Sequence, residues 1–120
     1  MPRFVRARAR FVDAATRKPL AGPNLRAELR DFDLLQDDFL GHGHFVGLGM
    51  VEVLFSLSDA ASADSPGEEH PDLYLVVWDG PREIFRTPVK FNVVIPQQDL
   101  LTAQGAPTVD LGEFLVPTPK

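Results

Sequence analysis

Apolar and polar residues alternate with a period of two along most of the chain. Val5, Ala7, Ala9 and Phe11 interleave with Arg6, Arg8 and Arg10. Leu25, Ala27 and Leu29 interleave with Arg26, Glu28 and Arg30. This period predicts strands with one face in a core and one in water. Val51, Val53, Phe55 and Leu57 share one side of another strand. Residues 73–78 (Leu-Tyr-Leu-Val-Val-Trp) are apolar on both sides, as a central strand would be. Residues 82–86 read as its hairpin partner across Asp79-Gly80-Pro81, and 89–95 and 109–116 as the last strands. The one helical candidate is a turn or two at 97–104, after Pro96. Most of the prolines and glycines punctuate the apolar runs as turn residues do. The pattern predicts an all-β fold, a seven- or eight-stranded antiparallel β-sandwich over residues 1–116 with a short Pro-containing tail at 117–120.

A chain of 120 residues, 44% hydrophobic and 24% charged, suits one globular domain and not a disordered segment. Without cysteine it has neither disulfides nor thiolate metal ligands. No apolar run has the length of a signal peptide or a membrane span, so a cytoplasmic location is expected. Charge is segregated. Residues 1–30 carry a net +6, residues 31–79 carry eleven acidic residues and no Lys or Arg, and the remainder balances. Two readings stay open: electrostatic steering of a partner, or mutual neutralisation of the two parts.

Phe11-Val12-Asp13, followed by Thr16-Arg17-Lys18-Pro19-Leu20-Ala21-Gly22, resembles the first strand and turn of transthyretin-like (prealbumin-like) domains. Leu29-Arg30-Asp31-Phe32-Asp33 and then Asp37-Asp38-Phe39-Leu40-Gly41 are similar to a strand and loop of the same group. Gly47-Leu48-Gly49 with residues 50–57, and then residues 71–77, fit its later strands. The resemblance covers roughly residues 4–95 and implies the sandwich, not a role. The Asp-rich stretch also resembles the calcium loops of C2 domains, although Pro71-Asp72-Leu73-Tyr74 follows it here, whereas those domains place the equivalent strand before it.

Calcium needs six to eight oxygen ligands, mostly from carboxylates and carbonyls of loops. Asp31, Asp33, Asp37 and Asp38 are the candidate set, and Asp59, Asp64, Glu68, Glu69 or Asp72 could complete it if the two loops share an end of the sandwich. The alternative is turn chemistry, in which Asp bonds nearby backbone. If they lie on a strand, His42 and His44 face one side of it and could bind Zn²⁺ with a carboxylate or His70, or could be merely polar. No nucleophile elbow accompanies Ser56, Ser58, Ser62 or Ser65. Two enzyme branches of related sandwiches do not transfer. The 5-hydroxyisourate hydrolases use an N-terminal His and a C-terminal Tyr-Arg-Gly-Ser, but no His precedes His42 and the chain ends Val-Pro-Thr-Pro-Lys. The intradiol dioxygenases need two Tyr, and only Tyr74 is present.

Arg6, Arg8 and Arg10 form a basic stripe without interleaved aromatics, so pairing with Glu28, Glu52 or Glu113 is expected rather than nucleic-acid binding. The two apolar faces of residues 73–78 admit either cover within one chain or self-association. The reading that emerges is a non-catalytic protein-interaction or structural accessory module, with self-association as one mode. The alternative is a Ca²⁺-dependent domain for lipid or carbohydrate, which would contact a membrane peripherally.

Overall fold

A computed structural model describes residues 4–33, 36–56, 71–94 and 107–117. The expected helical turn at 97–104 and most of the loop at 58–72 lie outside these residues. Seven strands are present: β1 Phe4–Asp13, β2 Leu25–Asp31, β3 Asp38–His44, β4 Met50–Ser56, β5 Leu73–Asp79, β6 Arg82–Arg86 and β7 Thr108–Val116. They form one sheet in the order β4-β1-β7 and a second in the order β3-β2-β5-β6. No described helix is long and apolar enough to cross a membrane.

The alternating residues fill the space between the sheets. Val5, Ala7, Ala9 and Phe11 of β1 and Val51, Val53 and Phe55 of β4 face Ala27 and Leu29 of β2 and Leu73, Leu75 and Val77 of β5. Phe11 is fully buried, with its ring 5.6 Å from Phe114, 5.8 Å from Phe45 and 6.2 Å from Phe85. These contacts plug one end of the core with aromatic rings, each pair adding about 1 kcal/mol beyond its buried area.

Three details differ from the expectation. First, β7 runs parallel to β1, whereas every other pair is antiparallel. Alternation predicts a strand but not the direction of its partner. Second, residues 89–94 are not a strand. They lie beside the start of β5, with reciprocal hydrogen bonds between Lys90 and Leu73 (2.8 and 2.9 Å). Third, Asp38–Gly41, the end of the Asp-rich stretch resembling a loop, belongs with His42–His44 to an edge strand.

β3 contains Gly41 and Gly43 and no β-branched residue, so it lacks strand propensity. Its composition follows from where it runs. β3 passes directly over β4 of the other sheet, and a Cβ on Gly43 would collide with the carbonyl oxygen of Glu52. Glycine is therefore a steric requirement, and the crossing nearly closes the sandwich along this side. Gly43→Ala is expected to destabilise the chain by about 1–3 kcal/mol, the usual cost of overpacking. Thermal melting checks this, and an unchanged Tm would mean the strands do not approach so closely.

Candidate functional site

The strand directions place residues 32–33, 36–37 and 71–72, together with residues 87–94, at one end of the sandwich. The β3–β4 connection, the β1–β2 loop and the β5–β6 hairpin lie at the other.

At the first end β2 stops at Asp31, so Asp31 and Asp33 do not project from one continuing strand. Asp31 follows Leu25, Ala27 and Leu29 on the inward face and is 8% exposed. It stands in register with Asp38 of β3. One carboxylate oxygen of Asp31 accepts the backbone N–H of Asp72 (3.2 Å), and the Asp72 carboxylate in turn accepts the N–H of Asn92 (2.8 Å). Burial, with the nearby Asp72, Asp38 and Asp33 charges and against the Asp72 hydrogen bond, pushes the Asp31 carboxyl up to about 6.

Asp37 turns the other way. It accepts the Asp33 N–H (3.0 Å) on one oxygen and the Tyr74 hydroxyl on the other. Those two hydrogen bonds, the tyrosine's first, hold its carboxyl below the ordinary range. The structure thus gathers Asp31, Asp33, Asp38 and Asp72, and fastens Asp37 onto β5. Among the described residues no group of three or more His, Cys, Asp or Glu is arranged to hold a metal ion. Asp59, Asp64, Glu68, Glu69 and His70 lie outside the described residues. The Tyr74 anchor was not legible, because nothing in sequence spacing ties a residue in one loop to a strand nearly forty positions on.

The sheet faces account for much of the basic charge. Arg6 pairs with Glu52 (3.5 Å) and Arg10 with Glu113 (3.7 Å) across strands, as the sequence suggests. Glu28 is held by Arg26 (3.1 Å) and Arg30 (2.8 Å) on its own strand. Burial would raise the Glu28 carboxyl, but hydrogen bonds from Arg30 and Arg26 outweigh it and lower it. Tyr74 and Val76, on the outer face of β5, are 2% and 0% exposed within the single chain. Arg86 lies over the Tyr74 ring (5.6 Å) and Arg26 over the Trp78 ring (5.2 Å). Long arginine stems cover the apolar strand while their charged ends stay wet. The surface that motivated self-association through β5 is therefore already covered.

At the opposite end the β3–β4 connection is a tight turn. Met50 N–H donates to the Gly47 carbonyl (2.9 Å), and Val46 N–H donates to the Met50 carbonyl (2.9 Å). Leu48 (φ 53°) and Gly49 (φ 74°) occupy the central positions, both left-handed, as in a type I′ turn. A Cβ on Gly49 would strike the Phe11 carbonyl oxygen, so the turn sits hard against β1. The Leu48 carbonyl accepts from Arg10 Nε (3.1 Å), and the Gly49 carbonyl accepts from Phe11 N–H (2.9 Å). A branched apolar residue in this region costs about 1–2 kcal/mol, and Asn or Gly is the usual occupant. Leu48 gains nothing from packing in return, being 75% exposed beside Val46 at 67%.

No protein-family model and no curated protein matches the chain. Among solved structures it is similar to a 9R-lipoxygenase from Cyanothece PCC8801, with 24% identity and a TM-score of 0.58. The likeness covers 95% of this chain and 16% of the lipoxygenase chain. At that identity it shows the fold alone, a β-sandwich.

Asp31 yields a prediction. Its folded pKa of about 6 lies above the ordinary 3.8, so the folded chain keeps this proton where the unfolded chain has lost it. The stability it contributes is full below the unfolded value and is lost as pH rises through about 6. Asp31→Asn retains the acceptor for the Asp72 N–H but removes the charge. It is expected to raise stability by about 1–2 kcal/mol at pH 7.5, with the gain vanishing below pH 4. Melting curves of both proteins across that range decide it.

Proposed function

We propose that the chain is a non-catalytic accessory module that docks reversibly on a lipid surface through the β3–β4 turn. The carrying observation is Leu48, an apolar side chain held in solvent on a rigid turn whose backbone would be better served by Asn or Gly. Backbone strain kept where it contributes nothing to packing points to a function for the side chain. Two apolar residues on a convex tip suit a yielding surface such as a bilayer. Arg17 and Lys18 lie at the same end of the sandwich, with Asp13 and Asp79 also there and Arg10 paired with Glu113, while the acidic cluster around Asp31 lies at the other, so the end that carries the turn is the less acidic of the two toward anionic headgroups. The likeness in fold to part of a lipoxygenase, by its name an enzyme of lipid oxidation, agrees with this reading. The order of transthyretin-like motifs is compatible with it, since that sandwich serves many roles.

Among the described residues Asp31 and Thr87 are buried, as is Tyr74, whose hydroxyl donates to Asp37. Thr87 exchanges hydrogen bonds with Leu75, and the groups acting on Asp31 are other carboxylates and a backbone amide. Burying Val46 and Leu48 would contribute about 3–5 kcal/mol. Each nearby basic residue adds about 1 kcal/mol at an anionic surface. The sum is a weak, reversible contact.

Co-sedimentation tests it, with vesicles of phosphatidylcholine alone and mixed with phosphatidylserine. The wild type is expected to pellet preferentially with the mixed vesicles, and the double variant V46S/L48S to bind at least fivefold less. A wild type that stays in the supernatant with both compositions overturns the reading. Leu48→Asn separates strain from docking: it should raise stability by about 1 kcal/mol while weakening vesicle binding.

A second reading is the Ca²⁺-dependent one, favoured by the mutual repulsion around Asp31, which a bound cation would relieve. Melting in millimolar Ca²⁺ and in EDTA tests it, because a ligand held only by the native state raises Tm. Coincident curves would remove this reading.

A further inference from the structure

We infer that His42 and His44 form a two-imidazole chelate for a late first-row divalent cation, Cu²⁺ ahead of Zn²⁺. The inference stands on β3 alone and does not depend on docking at the turn. Along this strand Gly41 and Gly43 face β4 and the two histidines face outward. The contact of Gly43 with the β4 backbone fixes which face is which, because a slip of one residue would turn the imidazoles inward and force a side chain against Glu52. Both imidazoles therefore leave one side of a strand that cannot readily shift.

Their rings are exposed and have centroids 6.3 Å apart at 79°. An ion at about 2.0–2.1 Å from each ring nitrogen lies about 3.2 Å from each centroid, so the tetrahedral angle of Zn²⁺ brings the centroids to about 5.2 Å and the cis angle of a tetragonal Cu²⁺ to about 4.5 Å. Closing the remaining ~1–2 Å needs only side-chain torsions of exposed rings. The Phe39 ring stacks on His42 (6.1 Å, 28°) and limits its freedom before any ion arrives.

The surroundings tolerate a cation. Glu28 stands opposite His42 in register and Arg26 opposite His44. The Arg26 guanidinium is drawn toward Glu28 and the Trp78 ring, with its positive charge partly compensated there. No third His, Cys, Asp or Glu among the described residues joins the pair, so water fills the other positions. Two nitrogen donors with an open sphere favour Cu²⁺ over Zn²⁺ by the general order of divalent affinities.

Isothermal titration of the full chain with CuCl₂ and with ZnCl₂ is the test, alongside H42Q, H44Q and the double variant. These surface substitutions on the wet face should leave Tm within a degree or two, which melting curves verify. The expected result is one ion per chain, tighter for Cu²⁺. Each single variant should weaken binding at least tenfold, and the double variant should abolish it. Electron paramagnetic resonance of the Cu²⁺ complex should show two nitrogen donors in the wild type and one in either single variant. Wild-type affinity retained in the double variant, no binding by the wild type, or an oxygen-only Cu²⁺ spectrum overturns the inference.

Discussion

The passage of β3 over β4 is the constraint on which the rest of the molecule depends. Two sheets of a sandwich normally keep about 10 Å between their backbones, filled by side chains. At Gly43 that spacing collapses, because the residue has no side chain to hold the strands apart. The sheets therefore nearly join along the β3–β4 side and stay open along the side of β6 and β7, where Phe85 and Phe114 fill the gap with ring centroids 6.4 Å apart. The short β3–β4 turn is a direct result, since the chain needs few residues to step between strands that already touch.

Several local features follow from that step. The turn must reverse direction tightly against β1, which sets the left-handed conformations of Leu48 and Gly49. The register of β3 on β2 places Asp38 beside Asp31, so two carboxylates meet where one of them is buried. The loop before β3 then passes the outer face of the second sheet, where Tyr74 captures Asp37. The acidic end and the apolar turn are thus the two ends of one locked strand.

Much of this fold was legible in the sequence, and the exceptions have physical reasons. β1, β2 and β4 announce themselves by alternation, and β5 by its continuous apolar run. β3 is hidden because only Leu40 reaches the hydrophobic core, while Gly41 and Gly43 meet β4 directly, so glycine stands where the pattern would look for valine. The parallel pairing of β7 with β1 is hidden because the period of two carries no direction. Of the candidate site, the acidic residues were visible but their division was not. Continuing the alternation from Leu25, Ala27 and Leu29 does place Asp31 inward, a signal in the sequence that marks it as the buried member. The strained exposure of Leu48 is a property of φ and cannot be read from residue types. The histidine pair was readable as a same-face pair on condition of a strand, which the structure supplies.

The arginine cover of β5 has a spectroscopic consequence. Trp78 is the only tryptophan in the sequence. Its indole lies beneath the Arg26 guanidinium, in the same cross-strand row as His44. The intrinsic emission of the protein therefore comes from a single place on the outer face of the second sheet, two strands from the histidines and outside the aromatic plug around Phe11. Changes in that emission report on this face, and quenchers brought close to it register without any added label.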